Sequence, residues 1–105
     1  DFVDGISCAE ETIFACQGMD HFHSYIENRM REGKKLPELL KIVEKLKCEN
    51  SEIVLITDEI GYGIVPTDAF YREYRETHGR VCTQIAAEAK EVHRVICGIG
   101  TVIKG

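Results

Sequence analysis

The sequence has no C-x-x-C pair, no apolar run near membrane-spanning length and no basic tract. Its five cysteines, Cys8, Cys16, Cys48, Cys82 and Cys97, are odd in number and widely spaced. That fits thiols in a reducing cytosol better than a disulfide framework or a zinc ribbon, so a cytoplasmic protein is expected. Without a long apolar run or a signal-peptide pattern, no membrane-spanning helix is expected. Lys34–Lys35 is the one basic doublet and the net charge is −5, which argues against non-specific nucleic-acid binding. At 105 residues, one α/β domain over 1–105 is expected, small for an enzyme with a separate nucleotide domain. The chain begins at Asp1 rather than at a methionine, and a preceding N-terminal segment is an expectation.

Periodicity and punctuation place the elements. "DFVDG" reads as a short strand ending at Gly5. "SCAEETIFAC" reads as a helix capped by Ser7 and Glu10, apolar at Ala9, Ile13 and Cys16, and stopped by Gly18. A second helix is predicted from about His23 to Glu32, with Tyr25, Ile26, Arg29 and Met30 on one face and Gly33 as terminator. A third opens at Pro37 with Leu39, Leu40, Val43 and Leu46 as its stripe. "EIVLITD" is the clearest strand. Its unbroken apolar run predicts a core strand over 52–57, flanked by other strands of a parallel sheet. A long helix is predicted from Thr67 to Lys90, bent at Gly79, followed by "VHRVIC" and "TVIK" as a hairpin through "GIG". Strands alternating with helices indicate an α/β layer architecture.

The stretch "TDEIGYGIVP" raises a question: two carboxylates, Asp58 and Glu59, follow a strand where ligands bind in such sheets. Taken alone, acids there serve turns as readily as chemistry. The residues, however, resemble the T-N-E-[VI]-G-x-G-[IV]-V-P signature of the bifunctional adenosylcobinamide kinase / adenosylcobinamide-phosphate guanylyltransferases. "YREYRETHGRV" resembles that family's R-x-[FY]-R-[DE]-x-x-G-R-x helix, and the likeness runs in order from Thr57 to Lys104. Upstream, "DHFHSYIEN" is weakly similar to E-C-[LI]-T-x-[WM]-x-x-N, with Asp20 for the acid, Tyr25 for the aromatic and Asn28 for the asparagine.

The resemblance implies a P-loop NTPase-like layered sheet with flanking helices, its N-terminal P-loop unit missing or degenerate. It implies ATP or GTP with magnesium as donor, an adenosylcobinamide corrinoid as acceptor, and a homo-oligomer. Under it, Glu59 and Asp20 are the catalytic carboxylates, and Glu59 faces the magnesium or acceptor side. Gly61 and Gly63 let backbone approach the ligand, and Arg80 and Arg75 hold phosphate. The sequence also departs from the pattern. It contains no G-x-x-x-x-G-K-[ST] and no H-R-x-x-R-P-like segment for a guanylyl-accepting histidine, and Asp58, Cys82 and Thr83 replace the usual amides. A non-catalytic domain binding a nucleotide, a corrinoid or a protein is therefore the rival reading.

Other groups have ordinary roles as their default. Arg72, Arg75 and Arg80 can pair with Glu73 and Glu76 along a solvated helix face. His21 and His23, being i and i+2, share no helix face, and a helix-start cluster is expected of them. His78 and His93 are expected on the surface or in packing, and no metal ligands are assigned.

Overall fold

A computed structural model describes residues 2–58, 60, 68–96 and 98–105. Three short parallel strands, β1 (Phe2–Asp4), β2 (Gly18–Asp20) and β3 (Val54–Leu55), form a sheet in the order β1-β2-β3. Helices α1 (Phe22–Arg31) and α2 (Leu36–Glu49) lie between β2 and β3 in the chain. Helix α3 (Ala69–Glu88) comes next, then an antiparallel hairpin of β4 (Val92–Ile96) and β5 (Ile99–Lys104). Parallel strands joined through helices give the expected α/β class.

The predicted helix over 7–16 is replaced by a short 3₁₀ turn, Glu10–Phe14, whose N-cap is Ala9 rather than Ser7. The reason lies in Asn50, whose amide donates to the carbonyls of Ile13 at 2.9 Å and Cys16 at 2.8 Å. A continuing helix would need the Ile13 carbonyl for its own i+4 hydrogen bond. Gly18 is likewise no helix stop but the first residue of β2. A Cβ there would stand 2.5 Å from the Phe2 ring, which lies across the strand.

The strand expected over 52–57 with neighbours on both sides is also corrected. Its ladder covers Val54–Leu55, and among the described residues only β2 pairs with it. Val54 is 51% exposed and Ile56 47%. Past the ladder, Ile56 still bonds through its N–H to the Met19 carbonyl and through its own carbonyl to the Phe22 N–H, each at 2.9 Å.

Helix α1 buries the predicted face: Tyr25, Ile26, Arg29 and Met30 are all inside. The Tyr25 hydroxyl donates to the Glu10 carbonyl at 2.8 Å, tying α1 to the 3₁₀ turn. The buried Arg29 guanidinium meets both Glu32 oxygens at 3.0 Å and lies 4.8 Å from the Tyr25 ring centre. Gly33 ends the helix at φ 100, as expected of a left-handed terminator. In α2, Glu38 accepts from the Lys35 N–H at 2.8 Å, and Leu39, Val43 and Leu46 turn inward. Tyr74, Thr77, His78 and Val81 are the buried face of α3. Its cap is Asp68, which accepts from the N–H groups of Phe70 and Tyr71. The expected cap, Thr67, lies outside the described residues, and the helix closes at Glu88 rather than Lys90. Ile13, Met19 and Val81, with no exposure at all, join turn, sheet and helix in one core.

The hairpin has the predicted pairing, with Gly98 in its turn at φ 78 and Ile99 and Gly100 already in β5. It is tied down by polar contacts. The Lys104 ammonium donates to the Ala86 and Ala87 carbonyls at 3.0 and 2.9 Å, near the C-terminus of α3, and Lys90 meets Glu52 at 2.7 Å. Val95, Ile99, Val102 and Ile103 remain well exposed.

Gly5 occupies the tightest backbone crossing. Its N–H donates to the Asp20 carbonyl at 2.8 Å, and a Cβ would come within 2.4 Å of the His21 carbonyl oxygen. Gly5→Ala is therefore expected to cost about 1–3 kcal/mol, the usual range for forcing a methyl into packed backbone. Urea denaturation of the variant beside wild type checks this, and an unchanged midpoint would show that the crossing has slack.

Candidate functional site

Because β1, β2 and β3 run parallel, their carboxyl ends lie along one edge. Asp4 ends β1, Asp20 ends β2, and Thr57 and Asp58 follow β3. Open α/β sheets bind ligands at this edge. Onto it the entry to α1 brings His21, just before the helix, and His23, in its first turn, and α3 brings His78 and Cys82.

His21 stands at φ 54, ψ 46, left-handed and directly before α1. Its N–H donates to Asp20 Oδ1 at 2.8 Å. Its Nδ1 lies 3.2 Å from Asp4 Oδ1 and 3.8 Å from Asp20 Oδ2, a close contact rather than an aligned hydrogen bond. His23, two residues on, faces a different carboxylate. Its Nδ1 accepts the Asp58 N–H at 3.1 Å, and its Nε2 lies 3.6 Å from Asp58 Oδ2. The two rings stand 5.7 Å apart, edge to face. They meet despite their i, i+2 spacing because His21 precedes the helix and His23 is inside it. The Tyr74 hydroxyl donates to the His23 carbonyl at 2.7 Å, fixing this turn against α3, and burial pushes the Tyr74 phenol well above its ordinary range.

His78 completes the row from α3. Its Nε2 lies 3.0 Å from Thr57 Oγ1 and 3.4 Å from Cys82 Sγ. The Thr57 hydroxyl donates to the Asp58 carbonyl at 3.3 Å, so the hydrogen on the shared contact belongs to His78 Nε2. Burial, with a smaller repulsion from His23, pulls the His78 pKa down to about 4. Protonation would add an Nδ1–H, and the Cys82 sulfur lies 4.0 Å from that nitrogen.

The residues singled out from sequence fall in several places. Asp20 is on the edge, half exposed, and bonded to His21. Glu59, Gly61 and Gly63 lie outside the described residues. Arg80 is exposed on α3 and pairs with Glu76 at 3.2 Å, the ordinary i,i+4 contact. Arg75 is partly buried. Asn28 donates to the Ile6 carbonyl at 2.8 Å, an architectural contact, as is that of Tyr25. The sequence assigns Asp4 no role, His21 and His23 a helix-start cluster and His78 a surface or packing place, whereas the structure sets all four along this edge. The "DHFHS" pair was a visible signal, whereas nothing local marks His78 as a neighbour of Thr57.

Among the described residues, no three His, Cys, Asp or Glu side chains converge as an enclosed metal cage. Magnesium needs no such cage. It is commonly held through one or two carboxylates, water and substrate phosphates. The Asp58 carboxylate, 81% exposed, is a hard oxygen donor of that kind at this edge.

The neutral His78 makes stability depend on pH in a defined direction. An unfolded histidine takes its proton near 6.5, and the folded ring near 4, so the unfolded chain binds more protons between those values. The contribution is whole above about pH 6.5 and falls as the pH drops toward 4, by on the order of 2 kcal/mol. His78→Gln should flatten this slope when urea midpoints are compared at about pH 7 and 4.5. A wild-type slope that survives the substitution would assign the effect elsewhere.

The family described as cobinamide kinase / cobinamide phosphate guanyltransferase matches residues 8–103. The bifunctional adenosylcobalamin biosynthesis protein CobU of Escherichia coli is 48% identical over 54 residues, which are 51% of this chain and 30% of that protein. The protein of the same name from Salmonella typhimurium is 46% identical over 54 residues, with the same coverage. The matched stretch thus spans less than a third of these curated relatives. With the family match extending over nearly all of the residues from the 3₁₀ turn to β5, the chain belongs to the cobinamide kinase / cobinamide phosphate guanyltransferase family.

Proposed function

We propose that this chain works in cobalamin assembly as part of a nucleotide-dependent transferase, phosphorylating adenosylcobinamide at the carboxyl edge of β1–β3. The observation that carries this reading is the alignment of Asp4, Asp20 and Asp58 along one edge of a parallel sheet, in a chain of this family. Phosphoryl transfer relies on positioning and charge neutralisation, and carboxylates at a strand edge are suited to both. The fold assignment that goes with it is P-loop NTPase-like. ATP or GTP is the donor. Magnesium, where bound, neutralises phosphate charge, and Asp58 is a side chain that would hold it. Asp20 and Glu59 are the proposed catalytic carboxylates, with Gly61 and Gly63 giving the backbone room at the nucleotide. Arg80 and Arg75 are the proposed phosphate-side cations. Guanylyl transfer is the second proposed activity, with less support from these residues, which contain no H-R-x-x-R-P-like segment.

One observation favours a second reading, a binding domain without turnover: the exposed Arg80 meets Glu76 in an ordinary i,i+4 pair along α3. The test is transfer of phosphate from ATP–Mg or GTP–Mg to adenosylcobinamide by the full-length protein. Calorimetric titration of the same nucleotides then examines the arginines. Arg80→Lys should weaken binding by about tenfold, because lysine cannot pair two phosphate oxygens at once, while Arg72→Lys should change it little. Equal affinities would remove Arg80 from the site. Binding without product would favour the second reading.

A homo-oligomer in the cytoplasm belongs to the same proposal. Supporting it, Val95, Ile99, Val102 and Ile103 give the hairpin apolar surface that a second copy could cover. Light scattering at high micromolar concentration should report more than one subunit. Ile99→Glu with Val102→Glu should lower that mass, and a monomeric wild type would overturn the idea.

A further inference from the structure

We propose that His21 is the proton acceptor for the phosphoryl transfer, with Asp4 and Asp20 as the residues that orient its ring. This rests on the kinase reading above.

The backbone of His21 is pinned from both sides. Its N–H donates to Asp20 Oδ1 at 2.8 Å, and its carbonyl accepts from Ser24 at 2.9 Å and Tyr25 at 3.2 Å. Gly5 presses against that carbonyl with no room for a Cβ. Held at φ 54, the residue sits apart from the regular helix and beside the strand ends. Asp4 is itself fixed, since its Oδ1 accepts the Ile6 N–H at 2.9 Å.

The ring is set unequally. Nδ1 is buried, with carboxylate oxygens of Asp4 and Asp20 at 3.2 and 3.8 Å. A lone pair there would face negative oxygens, so Nδ1 carries the hydrogen in the neutral ring and Nε2 keeps the lone pair. The side chain is 41% exposed although Nδ1 is covered. The accessible part of the ring therefore lies away from Nδ1, and no described residue bonds Nε2. The other histidines of this edge differ. His23 turns both nitrogens toward Asp58, and His78 is buried against Thr57 and Cys82. Of the three, His21 alone keeps a nitrogen for a substrate.

In the step this allows, the acceptor hydroxyl oxygen forms a bond to the terminal phosphorus of the nucleotide. The bond from that phosphorus to the bridging oxygen breaks, and its electron pair leaves with the nucleoside diphosphate. The hydroxyl proton passes to His21 Nε2. The imidazolium so formed has two carboxylates beside it, and the proton later returns to solvent.

The test uses the full-length protein with adenosylcobinamide and ATP–Mg or GTP–Mg. His21→Gly retains the left-handed backbone and should lower kcat by about 10²–10⁴-fold, the usual contribution of general acid–base catalysis. KM should stay within a few-fold, and added imidazole should restore part of the rate. His21→Asn, also tolerant of this backbone, should lose the same rate without rescue. Asp4→Asn should slow the reaction less than His21→Gly and alter the Nδ1–H tautomer seen by ¹⁵N NMR. An active wild type with His21→Gly within about threefold of it would overturn the role of His21 and leave the kinase reading standing. A loss that imidazole does not restore would make His21 a positioning residue and equally overturn its role as base. A wild type that transfers no phosphate from either nucleotide would overturn both readings.

Discussion

Everything at the candidate site depends on how the chain leaves β2. In four residues this central strand commits its backbone to both neighbours. The Asp20 carbonyl takes the Gly5 N–H at 2.8 Å, the Met19 carbonyl takes the Ile56 N–H at 2.9 Å, and the Phe22 N–H donates to the Ile56 carbonyl at 2.9 Å. These bonds satisfy strand ends and the first donor of α1 together, a group that a helix cannot pair within itself. They also level the ends of β1 and β3 against β2, so that carboxylates far apart in sequence share one edge. The left-handed turn at His21 follows, because the chain must swing from strand to helix within one residue while its neighbours on both sides are already bonded.

The electrostatics of the edge divide by depth. The exposed side carries Asp58 and Asp20, free to meet water or ligand charge. The buried side carries His78, kept neutral by burial, with the Thr57 hydroxyl and the Cys82 sulfur against its ring. A charged ring there would lose hydration without an anion to replace it. Arg29, also buried, is met instead by a carboxylate, with both Glu32 oxygens 3.0 Å from its guanidinium. The protein therefore tolerates a buried cation where a carboxylate meets it and a neutral imidazole where none does.

Much of this was legible in the sequence, and what was missed has a physical cause. α1, α2, α3 and the closing hairpin follow from periodicity and from Gly33, Pro37 and Gly98, since each is specified within a few neighbouring residues. β1 was marked by "DFVDG". The segment 7–16 was misread because a capping box signals helix locally, whereas Asn50, distant in sequence, claims the carbonyls at Ile13 and Cys16. "EIVLI" was read as a core strand because apolar runs usually are. Its observed partner is β2 alone, and run composition cannot count neighbours. At the site, Asp58 was visible as an acid after a strand, and Asp20 through the resemblance of "DHFHSYIEN" to the family stretch. Asp4 and His78 were not, because their meaning comes from register: Asp4 pairs with Asp20 across two strands, and His78 reaches Thr57 from another layer.

That register also explains why three histidines can share an edge without sharing a role. Each ring sees a different depth and a different partner. His78 is inside and holds the strand end through Thr57. His23 is mostly covered and closes on the backbone and side chain of Asp58. His21 is outermost, with one nitrogen against carboxylates and the other toward solvent. The gradation comes from two elements, since His21 precedes α1, His23 lies in its first turn, and His78 is on the buried face of α3. Imidazole suits each station because its two nitrogens can act separately, one bonded to the scaffold and one left for another partner. The edge is thus assembled in order, from the buried contact that fixes Thr57 outward to the ring that remains available for chemistry.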